Sequence, residues 1–210
     1  YLTSLFNTVY TIIDGIFVSA YVGTNALVAI NIVYPIVNVL FGIALAFAAG
    51  GSAVVALHIG GGKKDAASRA FSASVIASML VGGLVALGVL LNLSGILTLL
   101  GATPLTMRDC KIYALWWLWG TPLMIGKELF PYFIRVDGSP TYSFATALSG
   151  GVLNIVMDYV LVGRMQMGIR GAALATIMGL ALSTCMGIYY FLRKNKTFSF
   201  TLRGLSVKES

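Results

Sequence analysis

A chain of 210 residues in which 58% are hydrophobic and only 10% charged, with a mean hydropathy of +0.90, does not read as a soluble domain, which typically carries roughly 25% charged residues. Fourteen Lys and Arg against seven Asp and Glu give a net charge of +7; the bases stand mostly between apolar runs, a pattern of membrane topology rather than of a nucleic-acid partner. Cys110 and Cys185 lie far apart with no CxxC or Cys/His spacing, so neither a metal site nor a disulfide framework is indicated.

Six apolar runs stand in order: Tyr1 to Tyr21, Asn25 to Leu57, Ala66 to Leu91, Lys111 to Ile134, Thr141 to Val162 and Gly168 to Leu192. Each is near or above the ~20 residues a helix needs to cross hydrocarbon. The runs lack the alternation of a barrel strand, and lipid cannot satisfy free backbone groups, so the predicted fold is all-α: a polytopic six-helix transmembrane bundle over 1–192. Pro35 predicts a kink in the second run, since proline removes a helical hydrogen bond and crowds the preceding turn.

Residues 193–210 form a polar, basic tail. Lys63, Lys64, Arg69, Arg135, Arg193, Lys194, Lys196, Arg203 and Lys208 fall on one side, against Arg108, Lys111, Arg164 and Arg170 on the other. The first side is expected to be cytoplasmic, and an even number of helices puts both chain ends there. The chain opens inside an apolar run without an initiator Met, so it is expected to be a fragment of a longer protein.

Two motifs carry no function. "GGGKKD" fails as a phosphate loop because Leu57 stands where the first Gly is required and no Lys-Ser pair is present. Ser52 and His58, six residues apart on one helix, point about 240° apart and form no nucleophile-base pair.

Asp14, Glu128 and Asp158 are the acids inside the runs, and a charge near mid-bilayer costs at least ~2.5 kcal/mol unless it faces protein or water. Glu128 adjoins Lys127 near a helix end and is read as paired or snorkelling. Asp14 and Asp158 have no adjacent base. Thr3, Asn7, Tyr10 and Asp14 share one face of the first helix; Ser143, Ala147, Gly151, Asn154 and Asp158 share one face of the fifth. Thr176, Gly179, Ser183 and Gly187 do so on the sixth, and Asn31 and Asn38 on the second. Helix packing accounts for the small residues and hydroxyls. It gives no reason to tolerate two carboxylates, which therefore mark a functional site.

The segments "YTIIDGIFVSAYVGTNALVAINIVYPI", "FIRVDGSP", "GGVLNIVMDYVLVG" and "GIRGAALAT", in this order, resemble the multidrug and toxic compound extrusion (MATE) transporters over nearly the whole chain. The resemblance implies the N-terminal lobe of a two-lobe, twelve-helix transporter, cut in the cytoplasmic interlobe loop (193–210). It implies a coupling-cation site at Asp14, Asn154, Asp158 and Thr176, where members carry an Asp on helix 1, an Asn and Asp one turn apart on helix 5 and a Thr on helix 6. Tyr10 matches a Tyr one turn before the first Asp, and Asn7, Asn31 and Asn38 join it as candidate residues of the substrate cavity. A helix 1 proline of the family would fall before Tyr1.

The function implied by the resemblance is that of an antiporter of a prokaryotic plasma membrane, not an enzyme. It needs no cofactor beyond the coupling ion, H+ or Na+. Paired carboxylates in poor solvent either hold a proton near neutrality or share a Na+ between them. The implied partners are the bilayer, organic substrates of cationic and amphipathic character, and the missing C-terminal lobe. A lipid-linked oligosaccharide flippase of the wider superfamily is the alternative, and would be expected to show Arg or Lys in place of Asp14 and Asp158. A membrane enzyme would need a nucleophile-base or metal constellation that this sequence lacks.

Overall fold

A computed structural model describes residues 24–193 and 197–201, and within them every regular element is helical. Helix α1 (Thr24–Gly60) is followed by α2 (Lys64–Leu91), the short α3 (Leu93–Leu99), α4 (Met107–Trp119), α5 (Thr121–Val136), α6 (Pro140–Met157), a π-helical turn (Asp158–Arg164) and α7 (Ile169–Leu192). Four of these stretches, Ala26–Gly60, Lys64–Leu91, Pro140–Arg164 and Ile169–Leu192, are long and apolar enough to cross a membrane. The first apolar run, with Asn7, Tyr10 and Asp14, lies outside the described residues.

Burial on α1 follows the helical period. Ala29, Val33, Leu40, Ala44, Ala48 and Val55 are fully buried, and this stripe packs along α2 and α5. The helix runs through Pro35 without interruption. On α2 the outward stripe is Leu80, Leu84, Leu87 and Leu91, 61%, 67%, 52% and 81% exposed, an arrangement suited to lipid and not to water.

The fourth run differs from its expectation as one uninterrupted helix. The chain breaks between α4 and α5 at Gly120, because Pro122 begins the next helix without an N–H to donate back. Thr121 Oγ1 caps the ending helix by donating to the Trp117 carbonyl at 3.2 Å. Gly120 is required there, since a Cβ would collide with the Ile177 side chain of α7 and lie 2.9 Å from the Trp116 carbonyl oxygen.

Glycine also sets the distance between α6 and α7, which pack along one another. A Cβ on Gly150 would sit 2.7 Å from the Gly179 carbonyl oxygen, and one on Gly179 would sit 2.7 Å from that of Gly150. Ser183 Oγ donates to the Thr146 carbonyl across the same contact at 2.9 Å, and Thr184 Oγ1 ties α7 to α5 through the Leu123 carbonyl at 2.6 Å.

The segment 197–201 lies on the end of the bundle formed by the α1–α2 and α5–α6 loops. Phe198 is buried among Phe71, Phe133 and Phe191. The backbone N–H groups of Ser199 and Thr201 donate to Ser68 Oγ and Ser72 Oγ at 3.1 and 2.8 Å, and that of Thr197 donates to Asp137 Oδ1 at 2.9 Å. The register has a simple origin: two residues of extended chain advance about 6.6 Å and four of a helix about 6.0 Å, so alternate amides meet successive turns of α2. Lys63, Lys64, Arg69 and Arg135 therefore cluster at this end, whereas Arg108 and Arg170 line a cavity at the other.

Candidate functional site

The polar stripe of α6 separates into a packing half and an unsatisfied half. Ser143 is buried, donating to the Pro131 carbonyl at 2.9 Å and accepting from Arg135 Nε at 3.0 Å. Three turns on, Asn154 is also buried, yet neither its amide oxygen nor its nitrogen has a hydrogen-bond partner among the described residues. Leaving a buried polar group unsatisfied costs about 1–3 kcal/mol, so packing alone does not explain it.

Asn154 lines a cavity of about 20 Å³ between α5, α6 and α7. That is room for one water-sized particle. Thr176 lines it from α7, its hydroxyl donating to the Ala172 carbonyl at 3.0 Å with its lone pairs left to the cavity. Close approach of α6 and α7 at Gly150 and Gly179, themselves part of the lining, brings these two polar groups together.

Asp158 is fully buried one turn beyond Asn154, at the point where α6 passes into its π-helical turn. Wider turns of this kind occur mostly as single bulges and frequently at functional sites, because the extra residue re-aims side chains. The Met165 amide, bonded to the Val160 carbonyl at 2.8 Å, continues the wider spacing. Asp158 itself is not among the residues lining the small cavity. Asn31 and Asn38 are exposed on α1, on the face opposite its buried stripe, and do not line it either.

Sequence reasoning missed Lys127. It lines the cavity beside Asn154 and Thr176, its Nζ forms an ion pair with Glu128 Oε1 at 2.5 Å, and it lies 5.9 Å from the centroid of the Phe41 ring. The pair also corrects the placing of Glu128 near a helix end: both residues stand in the middle of α5, where the break at Gly120 starts a new helix. Treating Lys127 and Glu128 as an end pair concealed the signal, which was a base inside an apolar run.

A family model described as MatE matches residues 1–160. The chain belongs to the MatE family. The multidrug export protein MepA of Staphylococcus haemolyticus is 28% identical over 200 residues, an alignment spanning 95% of this chain and 44% of that protein. The fold matches a multidrug resistance MATE family transporter solved in an outward-facing conformation, with a TM-score of 0.88 at 24% identity, over 98% of this chain and 46% of that one. A structure of an inward-facing conformation matches with a TM-score of 0.85 at 24% identity, over 93% and 44%. The MatE chain thus spans a little under half the length of these relatives, consistent with the N-terminal lobe of a MATE transporter.

Proposed function

We propose that this lobe carries the coupling-cation site of an antiporter that exports organic, cationic and amphipathic compounds, with Asp14, Asn154, Asp158 and Thr176 as the site. The observation that carries the reading is the buried Asn154 amide, without a hydrogen-bond partner among the described residues, at a water-sized cavity shared with Thr176, one turn from the buried Asp158 carboxyl. A carboxyl in poor solvent gains strongly from a bound cation, and neutral oxygens beside it complete the site without adding charge. If ion affinity differs between outward-facing and inward-facing states, ion entry shifts that equilibrium, and by reciprocity a substrate favouring the other state is released. In this reading Asn7, Tyr10, Asn31 and Asn38 face the substrate, residues 193–210 begin the interlobe connection, and the basic end is the cytoplasmic side of a plasma membrane. The multidrug export named for the MepA relative supports the substrate class.

Lys127 in the cavity wall does not favour the second reading, transport of an anionic lipid-linked substrate, because its charge is paired with that of Glu128 and the wall is not basic. Reconstituting the full-length transporter in vesicles and tracking a cationic dye, with pH and Na+ gradients imposed separately, tests the first reading. Dye efflux is expected to depend on a cation gradient and stop when it is collapsed. Dye movement indifferent to both gradients would refute it.

A further inference from the structure

We propose that the cavity at the end of the bundle opposite segment 197–201 binds a phospholipid headgroup carrying both a phosphodiester and an amine, with Arg108 and Arg170 taking the phosphate and Asp109 the ammonium. This cavity, about 270 Å³, is lined by Arg108 and Asp109 of α4, by Arg170 of α7, and by apolar side chains that include Ala26, Ile112 and Met167. Neither the coupling ion nor the exported compound bears on the site; it requires only that the helices cross a membrane.

Helix stability gives no reason for two arginines there. Each is the second residue of its helix, α4 beginning at Met107 and α7 at Ile169, where the positive end of the helix dipole disfavours a cation. Asp109, in the first turn of α4, suits that dipole, yet it pairs with neither base. No side-chain hydrogen bond or ion pair engages Arg108, Asp109 or Arg170 among the described residues. Two like charges from separate helices thus share one cavity with a single carboxylate, which leaves its wall with positive charge in excess.

A phosphodiester suits the two guanidinium groups, whose planar forks donate paired hydrogen bonds to phosphate oxygens. An amine on a short carbon arm beyond the phosphate brings the charge that Asp109 complements, so one molecule answers all three ionisable groups. The setting is that of a membrane surface. Leu105 and Met165, shortly before the two arginines in the chain, are 82% and 60% exposed, as suits lipid and not water. Arg164 Nε donates to the exposed Tyr159 hydroxyl at 3.1 Å, and bases and tyrosines of this kind anchor helices at the level of the headgroups. A soluble anion has no use for the apolar part of the lining, whereas a lipid seats its glycerol and first acyl carbons against Ala26, Ile112 and Met167.

The test uses the full-length transporter purified in detergent, with retention of added phosphatidylethanolamine and phosphatidylglycerol counted by native mass spectrometry. Wild type is compared with Arg108→Gln/Arg170→Gln, Asp109→Asn and the control Lys111→Gln, a base further along α4 that does not line the cavity. The single variants Arg108→Gln and Arg170→Gln carry the test if the double variant folds poorly. Wild type is expected to retain phosphatidylethanolamine in preference to phosphatidylglycerol. Loss of both guanidinium groups should weaken retention of both lipids at least about tenfold, the worth of a charge-assisted hydrogen bond in a binding constant. Asp109→Asn should abolish only the preference, and Lys111→Gln should change neither. Unchanged retention in every arginine variant, or an equal loss in Lys111→Gln, would overturn the site. A wild type that prefers phosphatidylglycerol would overturn the role of Asp109, and full displacement of lipid by inorganic phosphate would overturn the lipid in favour of a free anion.

Discussion

Asn154 on α6 and Asp158, the first residue of the π-helical turn, stand one turn apart, and substitution separates what each does. Asp158→Asn keeps size and hydrogen bonding while removing the charge. If Asp158 served packing, the neutral amide would be tolerated or stabilising, because a buried charge costs more than a buried neutral group. As the coupling residue, its replacement should leave insertion and folding intact and abolish gradient-driven efflux, since a neutral amide can neither load nor release a proton. Near-normal, gradient-dependent efflux by well-expressed Asp158→Asn protein would contradict this. Asn154→Ala should be milder in transport. Because the Asn154 amide is buried without partners among the described residues, its loss should leave thermal stability unchanged or raised by up to about 1 kcal/mol, although packing atoms are lost. A drop of several kcal/mol would show the side chain to be structural.

At the scale of elements, the site depends on how closely α6 and α7 approach. Gly150→Ala places a methyl 2.7 Å from the Gly179 carbonyl oxygen and against Ser183 Oγ, and the backbone oxygen cannot move aside as a flexible side chain would. Pushing the helices apart should cost about 2 kcal/mol and separate Asn154 from Thr176. Gly83→Ala, on the exposed face of α2 with nothing within 4 Å of the added methyl, is the control and should leave the melting temperature of detergent-solubilised protein near that of wild type. Equal melting temperatures for both variants would show that α6 and α7 can separate freely. The same elements show where sequence reasoning stopped short. The runs at Asn25 to Leu57, Ala66 to Leu91, Thr141 to Val162 and Gly168 to Leu192 correspond to α1, α2, α6 with its π-helical turn, and α7, within a few residues at each end. The break at Gly120 was concealed because hydropathy continues unchanged across it. The signal lay in the Gly-Thr-Pro sequence, whose proline cannot extend the helical ladder.

For the whole molecule, the chain spans 44–46% of its relatives' lengths, and one lobe has no second lobe to enclose a pathway. These 210 residues alone, reconstituted as monodisperse protein, should bind the coupling ion without gradient-driven transport; uptake by the isolated chain would show that the lobe is itself a transporter. The fold of the lobe matches the structure described as outward-facing and the one described as inward-facing almost equally, at TM-scores of 0.88 and 0.85. The sequence by itself determined the solvent, the fold class and, among the described residues, the four long helices, because an apolar run of about 20 residues without strand alternation satisfies its backbone in lipid as a helix. It also determined which residues would be anomalous there, since Asn154 and Asp158 are conspicuous in an apolar segment before any contact is known. Only the tertiary structure decided that Asn154 and Thr176 share a cavity while Asp158 lies buried beside it, that Lys127 closes its wall, and that residues 197–201 dock on α2. The physical reason is that these arrangements depend on how closely separate helices approach. Glycines, a proline break and a π-helical turn set that approach in three dimensions, through contacts between residues distant along the chain that hydropathy and helical period do not encode.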